Sequence, residues 1–280
     1  MDDLDELTVC VTTYNEENNI EQCIDGILAN GVKNIMIVDA SKDRTADLAR
    51  AKGVVVYSID EENRGRVVQK VYAVSKCKTK YLAFVDADDV LDKKCLSTLL
   101  QEMKKNGWDA IQAHGRAFHP KSYWEKGMDA LCHYILSKPG STKMVGRPCV
   151  HTTESLRAIG GGGDIRFNGH DDTTISIKLE NTGYKQGIGS GITYRKHPAT
   201  FEECKEHWVR YGLQDAQLIK YYPEKKRNVY FHLLVEYPII RSLKLLIHGQ
   251  ALYIPYTVLC GLVRFYSMAK NLRKLKRSAI

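Results

Sequence analysis

The sequence predicts an α/β protein: a mixed, mostly parallel sheet flanked by helices, followed by a C-terminal helical appendage. Three observations predict it. Short β-branched and apolar runs alternate with segments of helical periodicity through the first part of the chain. Most of those runs end in a polar, acid-rich cluster, at the position where parallel sheets bind ligands beyond the carboxyl ends of their strands. The composition then changes at residue 224: residues 224–280 hold eleven Lys/Arg against two acids, and the remainder is close to neutral.

Leu7–Thr13 reads as a buried strand that stops at Tyr14-Asn15-Glu16-Glu17, and Ile20, Cys23, Ile24, Ile27 and Leu28 then recur at helical spacing. Asn34–Val38 is a second strand, ending in Asp39-Ala40-Ser41-Lys42-Asp43-Arg44-Thr45, with a helix over Thr45–Lys52. Val54–Tyr57 gives a third strand, Asn63-Arg64-Gly65-Arg66 a turn into a helix over Val67–Ser75, and Tyr81–Val85 a fourth strand. This alternation implies parallel pairing through crossovers. Beyond it, a helix over Lys93–Met103, a strand over Trp108–Ala113 leading into His114-Gly115-Arg116, and a helix over Ser122–Ile135 are expected. Pro139–His151, with Gly140, Gly146 and Pro148, has loop chemistry. A helix beginning at Asp171-Asp172 and ended by Gly183, then a strand over Gly189–Tyr194, complete the pattern.

At 280 residues, 44% hydrophobic and 26% charged, the chain is globular and long enough for a substantial core. Its net charge of +8 is concentrated in the C-terminal stretch, so the average charge gives no support to nucleic acid as a partner. Eight cysteines without a Cys-x-x-Cys spacing are expected to be reduced and mostly buried, as in the cytosol. Met1–Glu6 is acidic and lacks the order of a signal peptide, so a cytoplasmic catalytic part is expected.

The chain is organised around Val85-Asp86-Ala87-Asp88-Asp89. Carboxylates at i and i+2 leaving a strand can turn toward one hard cation, whose other positions are filled by water and phosphate oxygens. Asp86 and Asp88 are therefore candidate ligands for Mn²⁺ or Mg²⁺ carrying a diphosphate. The alternative is a solvated turn in which Asp89 or Asp92 caps the following helix.

These clusters, in this order, resemble the family 2 glycosyltransferases of the GT-A fold, a Rossmann-like nucleotide-binding architecture. The resemblance covers roughly residues 7–215. Thr12-Thr13-Tyr14-Asn15-Glu16 looks like the family's opening loop, Asp39 to Thr45 like its D-G-S-x-D-x-T turn, and Asp86-Ala87-Asp88-Asp89 like its metal motif, with Val38 where a second acid is frequent. The resemblance implies that Thr13 and Tyr14 cradle the nucleotide base, that Glu16 lies near the ribose, and that Asp39 accepts from the base imide. A carboxylate has only acceptors and the imide of uracil or guanine a donor, which supports that assignment on chemical grounds; helix capping by Asp39 is the alternative. Arg66 and Lys70, one turn apart, could face phosphate or solvent.

Gly160-Gly161, then Gly169-His170-Asp171-Asp172, then Gly183-Tyr184 resemble the family's second constellation, with Asp171 where Glu is usual and Thr174 where a further Asp is common. Asp172 matches the aspartate that acts as general base. An acceptor hydroxyl needs such a carboxylate to take its proton as the C–O bond forms; the alternative is a favourable charge at a helix N-terminus. By the same resemblance His197 completes the metal shell or touches the diphosphate, and Arg210, within Trp208-Val209-Arg210-Tyr211-Gly212, reaches the leaving diphosphate by a forked contact.

Val229–Met268 is apolar, and its basic edges at Arg241, Lys244, Arg264 and Lys270 suit a protein lying in an anionic headgroup layer; the alternatives are a soluble helical pair packed on the sheet or an oligomer interface, and a membrane span over Leu245–Val263. The expected organisation is thus a donor-binding half over 1–115, an acceptor and general-base half over 116–215, and a membrane-associating segment over 216–280, with residues 229–280 meeting the membrane. The expected function is inverting, metal-dependent hexosyl transfer from a nucleotide-sugar to a glycan or lipid-linked acceptor at the cytoplasmic face of a membrane. A non-catalytic membrane scaffold and a nucleotidyltransferase are the rivals; the second would favour a Gly-rich basic loop after the first strand, which Thr13-Tyr14-Asn15-Glu16 lacks.

Overall fold

The computed structural model describes residues 3–60, 62, 65–146, 148–167 and 171–277. The expected turn residues Asn63 and Arg64 and the motif residues Gly169 and His170 lie outside the described residues. The chain divides into two compact units, one of residues 1–116 and 137–195, the other of residues 117–136 and 196–280.

In the first unit the strands are β1 (Leu7–Thr13), β2 (Asn34–Asp39), β3 (Val55–Ser58), β4 (Tyr81–Val85), β5 (Asp89–Leu91), β6 (Ala110–Ala117), β7 (Gly140–Thr142), β8 (Cys149–Thr152) and β9 (Gln186–Arg195). They form one sheet in the order β3-β2-β1-β4-β8-β6-β9-β5, with β7 also on β9. Parallel pairing joins β3, β2, β1 and β4. β8 runs antiparallel to β4 and β6, and β9 antiparallel to β5 and β7. The expected parallel register is therefore a property of the first four strands.

The apolar runs of β1 and β4 are continuous because both faces are covered. Val9, Val11, Ala83 and Val85 pack with Ile20, Ile24 and Ile27 of α1 (Ile20–Leu28). α2 (Thr45–Ala51) and α3 (Arg66–Lys76) connect the next strands. α4 (Cys95–Asn106) adds Leu96, Leu99 and Met103 to the core on the α1 side. The intervening strand residues Cys10, Leu82 and Phe84 pack with Ala73 and Val74 of α3.

Two expectations about this sheet change. Pro139–His151 reads as loop from its glycines, prolines and basic residues, yet it supplies β7 and most of β8, a central strand. Four residues are too few for a period-2 pattern to stand out, and what commits Cys149-Val150-His151-Thr152 to the sheet is burial between two neighbours. Asp89, expected in a turn or as a cap, is instead the buried first residue of β5; the residue preceding α4 is Lys94, and it makes no side-chain cap.

The second unit holds α5 (Tyr123–Leu131), which opens with a reciprocal Ser122/Glu125 capping box and runs on as a wide π turn to Leu136. In the first unit, α6 (Thr153–Ala158) and α7 (Asp171–Asn181) follow β8. Leu156 of α6 and Ile175 and Leu179 of α7 join the α3 side of the core. Gly183 takes φ +83° just beyond α7, and Tyr184 N–H reaches back to the Leu179 carbonyl at 3.0 Å, so the expected glycine stop is present.

α8 (Phe201–Tyr221), α9 (Lys226–Phe231), α10 (Arg241–Ile247) and α11 (Ile254–Arg277) complete the second unit. α8 and α11 cross on Gly212, where a Cβ would stand 2.3 Å from the Arg264 carbonyl oxygen. The basic edge expected on this segment is partly turned inward. Arg264 is 8% exposed and forks onto Asp215 at 2.5 and 2.8 Å, with Tyr237 Oη at 3.2 Å. Arg241 is buried over the Tyr237 ring, 3.8 Å from its centroid, and bonds to Glu236. Against the cost of burial, His232 and Arg241 hold the Glu236 carboxyl down at about 2. A buried guanidinium with aromatic and carboxylate partners is a packing element. Arg241 and Arg264 are therefore not headgroup ligands, whereas Lys244 and Lys270 remain exposed. Among the described residues no helix is long and apolar enough to cross a membrane.

Candidate active site

The parallel register places Thr13 beside Asp39 at the ends of β1 and β2. Both are buried, and Thr13 Oγ1 donates to Asp39 Oδ1 at 2.6 Å. Ser41 Oγ donates to the same oxygen at 2.6 Å, and Ser41 N–H to Oδ2 at 3.2 Å. The loops beyond are laced together. Asn15, held at φ +58°, donates its N–H to Ser41 Oγ and accepts from Lys42 N–H, while Glu16 N–H donates to Thr45 Oγ1 at 2.8 Å. Asp43 bridges Thr45 and Glu17 N–H. A three-point carboxylate such as Asp39 leaves acceptor capacity on Oδ2. Tyr14 lies at the rim of this cradle, 38% exposed.

One strand further, β4 ends at Val85, and Asp86-Ala87-Asp88-Asp89 turns so tightly that Asp89 N–H bonds back to the Asp86 carbonyl at 3.0 Å. Asp86, Asp88 and Asp89 each offer an oxygen within 4.8 Å of the others, a hard-oxygen set of the kind that suits Mg²⁺ or Mn²⁺. Arg195, register partner of Asp89 on β9, organises the cluster. Its guanidinium forks onto Asp89 with both bonds at 2.8 Å and reaches Asp86 Oδ2 at 3.0 Å. Asp89 Oδ2 also accepts Asp86 N–H at 3.2 Å. Asp89 is thus spent on holding the turn, and the graded exposure of Asp86 and Asp88, 15% and 44% for their side chains, turns those two outward. Burial, opposed by Arg195 and reinforced by Asp86 and Asp88, pushes the Asp89 carboxyl up to about 6. Burial and the charges of Asp88 and Asp86 likewise raise Glu16, against its hydrogen bond from Asn19 and the charge of Arg66. Glu16 therefore shares the field of the acidic cluster.

α3 ties this side to the second carboxylate pair. Gln69 Nε2 donates to the Thr13 carbonyl at 2.9 Å. The next residue, Lys70, is 1% exposed and meets Asp172 Oδ1 at 2.8 Å and Asp171 Oδ2 at 2.5 Å. Lys70 thus faces neither solvent nor, in this arrangement, a phosphate; Arg66, one turn earlier, is exposed. Gly163 fits the pair in place, since a Cβ there would come within 2.9 Å of the Asp171 carbonyl oxygen. Lys178 Nζ gathers the carbonyls of Gly162 and Gly163 at 3.1 and 2.9 Å, closing the glycine loop under α7.

The first unit accordingly brings together Thr13, Tyr14, Glu16, Asp39, Asp86 and Asp88 on the loops after β1, β2 and β4, with Asp172 on α7 and Arg66 at the start of α3. His197 and Arg210 belong to the second unit, where Arg210 is exposed on α8 and lies 3.4 Å from His207 Nδ1. Lys70, Asp89 and Arg195 are the organising residues that sequence reasoning missed. A lysine at a buried helical position and an arginine in strand register with an aspartate leave no local signature. The helical spacing of Lys70 from the apolar residues Val67 and Val74, i+3 and i+4, was the available hint.

The chain is similar to known proteins in sequence and in fold. The sequence model of glycosyl transferase family 2 matches residues 8–156, which include the loops after β1, β2 and β4 and stop before Asp171 and Asp172. The glycosyltransferase GlyA of Streptococcus pneumoniae is 30% identical over 142 residues, 45% of this chain and 20% of that protein. The low-salt glycan biosynthesis hexosyltransferase Agl6 of Haloferax volcanii is 33% identical over 114 residues, 39% of this chain and 27% of its own. The matched segment is thus about a fifth to a quarter of these two relatives. Among solved structures, Staphylococcus aureus TarS 1–349 in complex with UDP-GlcNAc superposes with a TM-score of 0.57 at 13% identity, covering 97% of this chain and 92% of TarS 1–349, a likeness of fold. With more than half of its length matched by the family model and the GT-A fold around that match, the chain belongs to glycosyl transferase family 2.

Proposed function

We propose that this chain is an inverting, metal-assisted glycosyltransferase of the hexosyl type, moving a sugar from a UDP- or GDP-sugar to a hydroxyl of a glycan or lipid-linked acceptor. The observation that carries the reading is the convergence, at the carboxyl ends of β1, β2 and β4, of the hydrogen-bonded loops around Asp39 with the Asp86/Asp88/Asp89 cluster. In this reading Thr13, Tyr14 and Asp39 hold the base, Asp39 through the second lone pair of Oδ2, and Glu16 meets the ribose. Asp86 and Asp88 would hold Mn²⁺ or Mg²⁺, which would supply charge neutralisation for the leaving diphosphate. Arg195 keeps Asp89 and one oxygen of Asp86 in place beside Asp88. Arg66, His197 and Arg210 are assigned to the diphosphate side. Asp172 takes the proton of the acceptor hydroxyl as its oxygen attacks the anomeric carbon opposite the leaving group, which inverts that centre.

Calorimetric titration with UDP, GDP and their sugar conjugates, each with Mn²⁺ and with EDTA, tests the donor site. One nucleotide is expected to bind saturably with Mn²⁺, and Asp88→Ala to weaken it by about tenfold or more, the scale of a lost carboxylate–metal contact. TarS 1–349, crystallised with UDP-GlcNAc, makes the UDP series the first to try. Absence of binding by every nucleotide under both conditions would move the assignment to a non-catalytic scaffold.

The proposed membrane partner now rests on a different set of residues from the basic edge. Leu243, Leu246, Ile247 and Leu252 are 55, 57, 79 and 69% exposed, with Lys244 exposed among them. An apolar face with a lysine suits insertion at an anionic headgroup boundary. The protein is expected to cosediment with phosphatidylglycerol-containing vesicles, and Ile247→Asp to lower the bound fraction severalfold. Equal recovery of wild type and Ile247→Asp in the pellet, or none of either, would remove residues 229–280 from the membrane.

A further inference from the structure

We infer that Lys70 is a positioning residue for Asp172, and that Asp171 is the permanent counter-ion which lets Asp172 lose its charge during turnover; this rests on the reading of Asp172 as the general base. Consecutive carboxylates converge on one buried ammonium. Lys70 Nζ lies 2.8 Å from Asp172 Oδ1 and 2.5 Å from Asp171 Oδ2, and 4.8 Å from the centroid of the Phe84 ring on β4. The two acids are not equivalent. Asp171 is sealed at 2% side-chain exposure, while the Asp172 side chain keeps 24%. The outer carboxylate is the one an acceptor hydroxyl can meet.

Among the described residues, these two are the carboxylates that meet the Lys70 ammonium, and Cys10 on β1 and Cys149 and His151 on β8 are further titratable groups whose charges couple to this cluster. Burial raises both thiols far above neutrality, and burial together with Lys70 pushes the His151 ring down to about 3, so all three are neutral. Phe84 and the α3 side of the core exclude water from the ammonium.

The charges balance through a turnover. At rest one ammonium faces two carboxylates. When Asp172 takes the acceptor proton, the new C–O bond forms, the bond to the diphosphate breaks, and Asp172 becomes a neutral acid. Lys70 is then paired with Asp171, so no buried charge is stranded at that moment. Release of the proton from Asp172 to water restores the resting state. A lone Asp172–Lys70 pair would instead leave the buried ammonium uncompensated with each proton taken, which explains why two acids stand in sequence where one does the chemistry.

Two substitutions with opposite effects test this. The titration of Asp172 is read by carboxyl-carbon NMR in the full chain, its resonance assigned by loss in Asp172→Asn. Removing the cation in Lys70→Met is expected to raise its midpoint by about one pH unit or more, and removing the like charge in Asp171→Asn to lower it by a similar amount. Lys70→Arg is expected to restore most of the wild-type value. In parallel, UDP release from UDP-GlcNAc with Mn²⁺ is expected to fall about tenfold in kcat at neutral pH for Lys70→Met, with KM within about twofold and the acidic limb of the pH profile moved in step with the NMR midpoint. Damage to packing alone would not move the two midpoints in opposite directions. An unmoved Asp172 midpoint in folded Lys70→Met overturns the proposal; if that variant does not fold, an unmoved or raised midpoint in Asp171→Asn overturns it. Failure of the base reading shows separately, as Asp172→Asn that releases UDP at the wild-type rate.

Discussion

Asp172→Asn is expected to lower kcat for UDP release from the UDP-sugar proposed as donor by about 10²–10⁴-fold, the usual worth of a positioned general base, while calorimetric donor affinity stays within about twofold. The asymmetry follows from where the residue sits. Asp172 is on α7, bound to Lys70 of α3, whereas the cradle around Asp39 and the acidic turn after β4 are built by hydrogen bonds that do not involve it. Asparagine keeps the volume and can still accept from Lys70 through its carbonyl oxygen, so the fold and the donor loops are preserved. What it cannot do is take a proton. Water replaces the unknown acceptor as nucleophile in this assay and needs the same base, which makes the measurement possible before the acceptor is identified. A variant that binds donor and releases UDP at the wild-type rate would return Asp172 to the lesser role of a favourable charge at a helix N-terminus.

The loops after β1, β2 and β4 were legible in sequence because each part is local. A strand of five to seven apolar residues followed at once by Tyr14, by Asp39 or by Asp86 states its own geometry, and parallel pairing then sets the three ends side by side. The residues that make those ends rigid were not legible, since their partners are remote in the chain. Arg195 lies 106 residues from Asp89, and Lys70 lies 102 residues from Asp172. What a basic residue on a helix meets is shown only by the topology: Lys70, read as facing phosphate or solvent, and Arg241 and Arg264, read as facing headgroups, are all buried. β8 escaped for a related reason: its short segment becomes a strand only through the two neighbours that enclose it.

Arg264→Ala is expected to destabilise the second unit by about 3–5 kcal/mol, the cost of leaving the buried Asp215 carboxylate without its counter-charge. Asp215 is 2% exposed and both of its oxygens accept from the guanidinium. The same guanidinium lies over Tyr211, 5.2 Å from that centroid, and bonds to Tyr237 Oη, so truncation also opens a gap where α8 and α11 close on Gly212. Urea unfolding followed by tryptophan fluorescence reads the effect, because Trp208 lies 6.0 Å from the guanidinium carbon. Replacing both partners together, Arg264→Met with Asp215→Leu, is expected to recover most of the loss, since two apolar groups leave no buried charge behind. A loss below about 1 kcal/mol for Arg264→Ala would mean that the pair is hydrated and behaves as a surface salt bridge. The experiment also separates the two readings of the basic C-terminal stretch. If Arg264 were a headgroup ligand, its removal would weaken vesicle binding at unchanged stability; as the core of the α8–α11 contact, it changes vesicle binding only to the extent that the unit unfolds.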